Sequence, residues 1–168
     1  MRIDRRFPVP DCLAGGDTAL RHAGGLRALL EAEGVGCFVG CLLPLRLTGG
    51  FTLVVGTWLR VGEAEFGRAQ ASWESYDYEQ LVLAGTLANA VPPFGDDLLH
   101  APVLTGVRDR DELPYVTGSE RADVARILAT TWDRDDVLGR ADPGPAPPDG
   151  HRTGAGGEVR SRWPRAAG

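Results

Sequence analysis

A chain of 168 residues, 43% of them hydrophobic, is long enough to bury a core without help from disulfides or metal. Its net charge of −5, from 23 acidic against 18 basic side chains, disfavours nucleic acid and anionic membranes as partners. Cys12, Cys37 and Cys41 have no metal-binding spacing and no apolar run reaches the roughly 18 residues of a membrane span, so free thiols in the cytoplasm are expected.

Residues 1–16 read as an irregular lead-in, because Pro8 and Pro10 favour extended backbone and Gly15-Gly16 breaks it. Asp17 or Thr18 is placed to cap a helix carrying Leu20, Leu26, Leu29 and Leu30, with a kink or break at Gly24-Gly25 and an end at Gly34. The stretch from Cys37 to Val61 organises the rest. It reads as two antiparallel strands joined at Thr48-Gly49-Gly50, where positive φ costs little. Pro44 marks an edge, a bulge or the end of regular pairing in the first strand. In the second, Phe51, Leu53, Val55, Thr57 and Leu59 face one way and Thr52, Val54, Gly56, Trp58 and Arg60 the other. Apolar residues on both faces make it a central strand.

Residues 62–75 place Glu63 and Glu65 in a first turn and Phe66, Ala69 and Trp73 in a stripe, which predicts a helix lying on the sheet. A strand from Leu81 to Leu87 follows, then a turn-rich loop from Ala88 to Asp97, a strand from Ala101 to Arg108, a charged turn, and a short strand over 113–118. Ser119 caps a last helix that packs through Val124, Ile127, Leu128 and Thr131 and ends at Trp132. From Gly139 onward Gly, Pro, Ala and Arg dominate, with a charge of +2 against −7 for residues 1–138, which predicts a disordered tail. The order α-β-β-α-β-β-β-α predicts one α+β domain over 1–138. Its sheet is mainly antiparallel and built on the central hairpin, its helices lie mostly on one face, and 139–168 form a disordered C-terminal tail.

Three runs, CFVGCLLPL, VVGTWLRVGEAEFGRAQASW and LAGTLANAVPPFGDDL, together resemble a bacterial domain-of-unknown-function family, number 2199, over about residues 36–117. Members share a strand ending in Leu-Pro, a strand ending in Gly-x-Trp, a helix start with Phe and Arg, and a Gly-x-Leu-x-Asn-x-x-Pro element. Two features depart from the family pattern. The N-terminal Cys-x-x-Cys-Gly element is absent, Cys12 standing alone, and TGSERADV replaces a His-Pro-Leu segment before the last helix. The resemblance implies a shared fold rather than a shared site.

No GxSxG elbow, phosphate-binding loop or zinc spacing occurs, and His22, His100 and His151 are scattered, so neither cofactor nor metal is expected. Two surfaces are site candidates. Trp58, Trp73, Tyr76 and Tyr78 would form an aromatic patch gripping a protein partner, against the plainer role of filling the helix–sheet seam. The rigid loop with Asn89, Asp96 and Asp97 would orient a polar ligand or, with His100, serve an enzyme; the plainer reading makes Asn89 a turn former and the aspartates solvated. The expected function is a non-enzymatic protein-interaction or accessory module, with an enzyme at the 89–97 loop as the alternative. Specific nucleic-acid binding through the Arg-bearing tail is not expected.

Overall fold

Pairing along the central hairpin runs without a break from Cys37 opposite Val61 to Leu47 opposite Phe51. The computed structural model describes residues 1–14, 20–22, 28–141 and 163–168. In chain order the strands are β1 (Arg2–Arg6), β2 (Leu20–His22), β3 (Leu29–Ala32), β4 (Gly36–Leu47), β5 (Phe51–Val61), β6 (Val82–Leu87), β7 (Pro102–Gly106), β8 (Tyr115–Gly118) and β9 (Thr131–Trp132). The helices are α1 (Glu63–Ser72), α2 (Ala122–Ala129) and α3 (Arg134–Ala141). At the hairpin turn Gly49 and Gly50 both take positive φ, 78° and 75°, a pair of conformations that side chains resist.

The strands do not form an open sheet. β4, β5, β6, β7 and β8 pair in succession and β8 returns to β4, which closes a five-stranded barrel. An up-and-down run with an odd number of strands ends in the direction it began, so the closing pair is parallel. Leu42 lies opposite Tyr115, and the Leu42 N–H donates to the Pro114 carbonyl at 2.8 Å. Pro44 sits on β4 between the contact with β8 at Leu42 and the contact with β9 at Arg46 and Leu47, where its missing donor is tolerated.

A barrel this small is filled by its own side chains. Val39, Cys41, Leu43 and Leu45 of β4 meet Leu53, Val55 and Leu59 of β5, with Leu83, Leu87, Val103 and Val116 from the shorter strands. The free edge of β5 is shared: β1 lies parallel along Thr52–Gly56, and β6 pairs only at Leu59 and Arg60. The outward face of the hairpin is covered separately, Phe38 and Trp58 packing with Leu13, Leu30, Ala32 and Ala88.

This architecture corrects the expected α+β sheet with helices mostly on one face. The helices sit at opposite ends of the long hairpin. α1 begins directly after β5, and its Glu63 borders the same hollow as Gly36 and Cys37. α2 and α3 flank β9, which pairs with Arg46 and Leu47 beside the hairpin turn. The helix expected to end at Gly34 is also corrected. Leu20–His22 and Leu29–Ala32 are strands, and Gly34 at φ 74° turns the chain so that Leu29 pairs with Val39 and Leu30 with Phe38. Gly24-Gly25, where the kink was expected, lies outside the described residues. The last helix stops at Ala129 rather than at Trp132, because Thr131 and Trp132 join β4 as β9.

Two parts of the segment expected to be a tail are described. Arg134–Ala141 is helical, so the ordered chain passes Gly139, and Trp163–Gly168 is docked against β9; residues 142–162 lie outside the described residues.

Candidate functional site

The docked segment defines the most site-like surface. Three elements build its groove: α2 brings Arg126, the 91–98 loop brings Phe94 and Asp97, and β9 with the start of α3 brings Trp132, Asp133 and Asp136. Asp133 is positioned as a helix cap, its carboxylate accepting the Asp136 N–H at 2.8 Å. Trp132 is fixed by its indole N–H, which donates to the Ile127 carbonyl at 3.0 Å, and by Phe94, whose ring meets it edge to face at 5.1 Å.

Trp163 enters between these groups. Its indole N–H donates to Asp97 Oδ2 at 2.7 Å, its ring stands edge to face with Phe94 and with Trp132 at 6.1 Å each, and the Arg126 guanidinium carbon lies 4.5 Å from the ring centroid. Pro164 is buried behind it. The backbone that follows runs as an extra strand: Ala166 bridges Trp132 in antiparallel sense, the Asp133 N–H donates to the Arg165 carbonyl at 2.7 Å, and the Ala167 N–H donates to the Thr131 carbonyl at 2.8 Å. The Arg165 N–H donates to Asp136 Oδ2 at 2.7 Å. A hollow of about 490 Å³, bordered by Arg126, Thr130 and Trp132, stays open beside the segment. The arrangement joins one aromatic slot to a strand edge, and the chain's own Trp163–Gly168 occupies both.

Asp136 gives the contact a pH dependence. The Arg165 N–H and then the Arg140 guanidinium hold its carboxyl below the usual carboxylate range, with burial opposing them. A carboxylate with a depressed pKa stabilises the docked state above its ordinary value of about 3.9, and that contribution disappears as pH falls through the depressed value. The segment is therefore expected to loosen in acid below about pH 4 ahead of the barrel. Amide hydrogen exchange at Asp133, Arg165 and Ala167 checks this; exchange at these amides that never departs from that of β4 and β5 on acidification would refute it.

The residues proposed from sequence fall mostly elsewhere. Trp58, Trp73 and Tyr78 are buried at 7%, 8% and 5% exposure, so they fill the interior. Trp73 and Tyr78 pack edge to face at 5.2 Å, and the Tyr78 hydroxyl donates to the Glu112 carbonyl. Tyr76 alone is open, at 88% exposure, with Arg110 over its ring at 5.6 Å. Asn89 is fully buried. Its carbonyl oxygen accepts from the Thr57 hydroxyl at 2.8 Å and the Trp58 N–H at 3.0 Å, while its amide donates to the Val9 carbonyl at 3.0 Å and Asp11 Oδ1 at 2.9 Å. Asp96 and His100 are exposed. Asp97 is the one proposed residue that belongs to the groove.

Sequence reasoning missed Phe94, Arg126, Trp132, Asp136 and Trp163 as groove residues. A signal for the last was present: Trp163 is the only Phe, Trp or Tyr after Trp132, set in a stretch otherwise poor in apolar bulk. A Trp in such company is an anchor in search of a slot.

A second hollow, of about 360 Å³, lies on the outer face of the hairpin among Arg2, Arg6, Trp58, Glu112 and Leu113. Much of its charge is spent internally. Arg2 pairs with Asp4 at 2.7 Å and with Glu112, whose carboxyl Arg2 and the Tyr115 hydroxyl hold below its usual range. Burial pushes the Cys41 thiol up to about 12, which makes it an inert core group, and among the described residues no His, Cys, Asp and Glu cluster suits a metal ion. Among the described residues, too, no helix is long and apolar enough to cross a membrane. No family model, curated protein or solved structure matches this chain.

Proposed function

We propose that this chain is a non-enzymatic protein-interaction module that holds an extended polypeptide segment in the groove between α2, β9 and the 91–98 loop. The observation that carries the reading is Trp163–Gly168 seated there through one part-buried aromatic and main-chain hydrogen bonds. Strand addition to a short exposed edge is a common way of capturing peptides, because the backbone supplies affinity and a pocket supplies selectivity. Two residues of the 89–97 loop already have structural partners: Asn89 ties two segments together and Asp97 receives an indole.

The kinship with the family of unknown function over 36–117 belongs to the same proposal. Its pattern residues have architectural work here, since the Asn of the Asn-x-x-Pro element, Asn89, bonds the Trp of Gly-x-Trp, Trp58, through its backbone. A reducing cytoplasmic setting fits three unbridged cysteines.

The test is direct binding. A fluorescent peptide of residues 160–168 is titrated into the full-length Trp163→Ala chain, whose own anchor is gone. Saturable binding in the micromolar to millimolar range is expected, as for small peptide-binding grooves. Anisotropy that stays flat to millimolar protein, with the variant folded, would end the proposal.

A further inference from the structure

Resting on the peptide-groove reading, we infer that the groove's partner is a Trp-anchored extended segment of another protein, and that Trp163–Gly168 is a tethered competitor that such a segment must displace. The slot is shaped for an indole rather than for any ring. Phenylalanine would keep the edge contacts with Phe94 and Trp132 and the Arg126 cation over its face, yet it brings no N–H to Asp97 Oδ2, which now accepts at 2.7 Å. A hydrogen bond to a carboxylate is the stronger kind, and a phenylalanine forgoes it.

Beyond the anchor, the groove reads little but backbone. The Arg165 N–H and carbonyl are both engaged, by Asp136 and Asp133, whereas its side chain is 79% exposed with Nε 3.9 Å from the Asp136 carboxylate. An ion pair that open contributes almost nothing, so the identity of this residue is nearly free. Ala166 and Ala167 add only strand pairing and small side chains. The chemistry recognised is therefore Trp-Pro followed by two or three residues able to lie extended. Because the chain carries such a segment itself, any partner competes with a covalently attached occupant, which holds the groove against a free peptide at micromolar concentration.

The experiment compares peptides of residues 160–168 carrying Trp, Phe or Ala at the anchor position, by anisotropy, on full-length wild-type chain and on Trp163→Ala. Expected are binding of the Trp peptide to Trp163→Ala at least tenfold tighter than to wild type, a Phe peptide weaker by roughly tenfold or more, and a Trp-to-Phe ratio that collapses towards unity in Trp163→Ala/Asp97→Ala. Equal binding of all three peptides to Trp163→Ala would overturn the Trp selectivity while leaving the groove reading standing; binding of none would remove both. Should Trp163→Ala fail to fold, wild-type chain labelled with 5-fluorotryptophan decides. Millimolar Trp peptide is expected to move the Trp163 resonance, assigned by Trp163→Phe, to its undocked position, and a resonance that stays put overturns the competition.

Discussion

Gly85→Ala is expected to destabilise the chain by about 3 kcal/mol or more, at the upper end of what overpacking costs. A Cβ on Gly85 would lie 2.4 Å from the Arg60 carbonyl oxygen and 2.8 Å from Leu59 Cγ. The leucine has some freedom to rotate, but the carbonyl is the backbone of β5, and β6 is joined to β5 only through Leu59–Leu87 and Arg60–Thr86. Making room means parting the strands at one of the two short seams of the barrel. The sign is informative, because Gly→Ala at a site with space usually stabilises by about 0.4–1 kcal/mol through the unfolded state. Gly67, in the middle of α1 with nothing near its would-be Cβ, supplies the control: Gly67→Ala is expected to gain up to about 1 kcal/mol. Urea denaturation followed by tryptophan fluorescence separates the two. A Gly85→Ala midpoint at or above that of wild type would show that β6 does not approach β5 as described.

The hairpin was legible because its evidence is local: two apolar runs, a Gly-Gly turn, and an alternation that places Leu53, Val55 and Leu59 on one face. The closure was not legible for the same reason. Nothing near Tyr115 in sequence says that it will lie parallel to Leu42, more than seventy residues earlier, and a five-stranded run written on paper looks like an open sheet. The misread helix before Gly34 has another cause. A short apolar cluster such as Leu29-Leu30 suits helix and strand alike, and here the turn at Gly34 and the waiting edge of β4 decide for the strand. The groove fared worst, since it assembles residues from positions 94, 97, 126, 132 and 136 around a segment that composition alone assigns to disorder. Asp97 was named for a carboxylate's general usefulness, and its actual service to an indole N–H depends on a residue 66 positions away.

Asn89→Ala carries the second large effect, an expected loss of about 3 kcal/mol. The side chain is fully buried and every one of its hydrogen-bonding positions is used: two acceptor sites by Thr57 and Trp58, two donors by Val9 and Asp11. Truncation strands the Trp58 N–H inside the fold, and an unmet buried donor costs about 1–3 kcal/mol by itself. It also cuts the tie to Asp11, whose other carboxylate oxygen accepts from the Ala90 N–H at 2.7 Å and whose backbone N–H reaches the Ala88 carbonyl at 2.9 Å. The lead-in that covers Trp58 is thereby loosened, so trypsin cleavage after Arg5 or Arg6 is expected to accelerate along with the fall in stability. Thr57→Val, which removes one donor and leaves the Asn89 oxygen bonded to Trp58, is expected to cost about 1 kcal/mol. Asn89→Asp tests the charge arrangement: it replaces a donor 2.9 Å from Asp11 Oδ1 with a second carboxylate, so one of the two must hold a proton in the folded state and its pKa is raised. A raised folded pKa gives stability that is present at low pH and lost as pH climbs, so this variant is expected to fall further behind wild type between about pH 4 and pH 7. If Asn89→Ala unfolds at the wild-type urea midpoint and Asn89→Asp tracks wild type across that range, Asn89 is not the joint between the lead-in and the barrel.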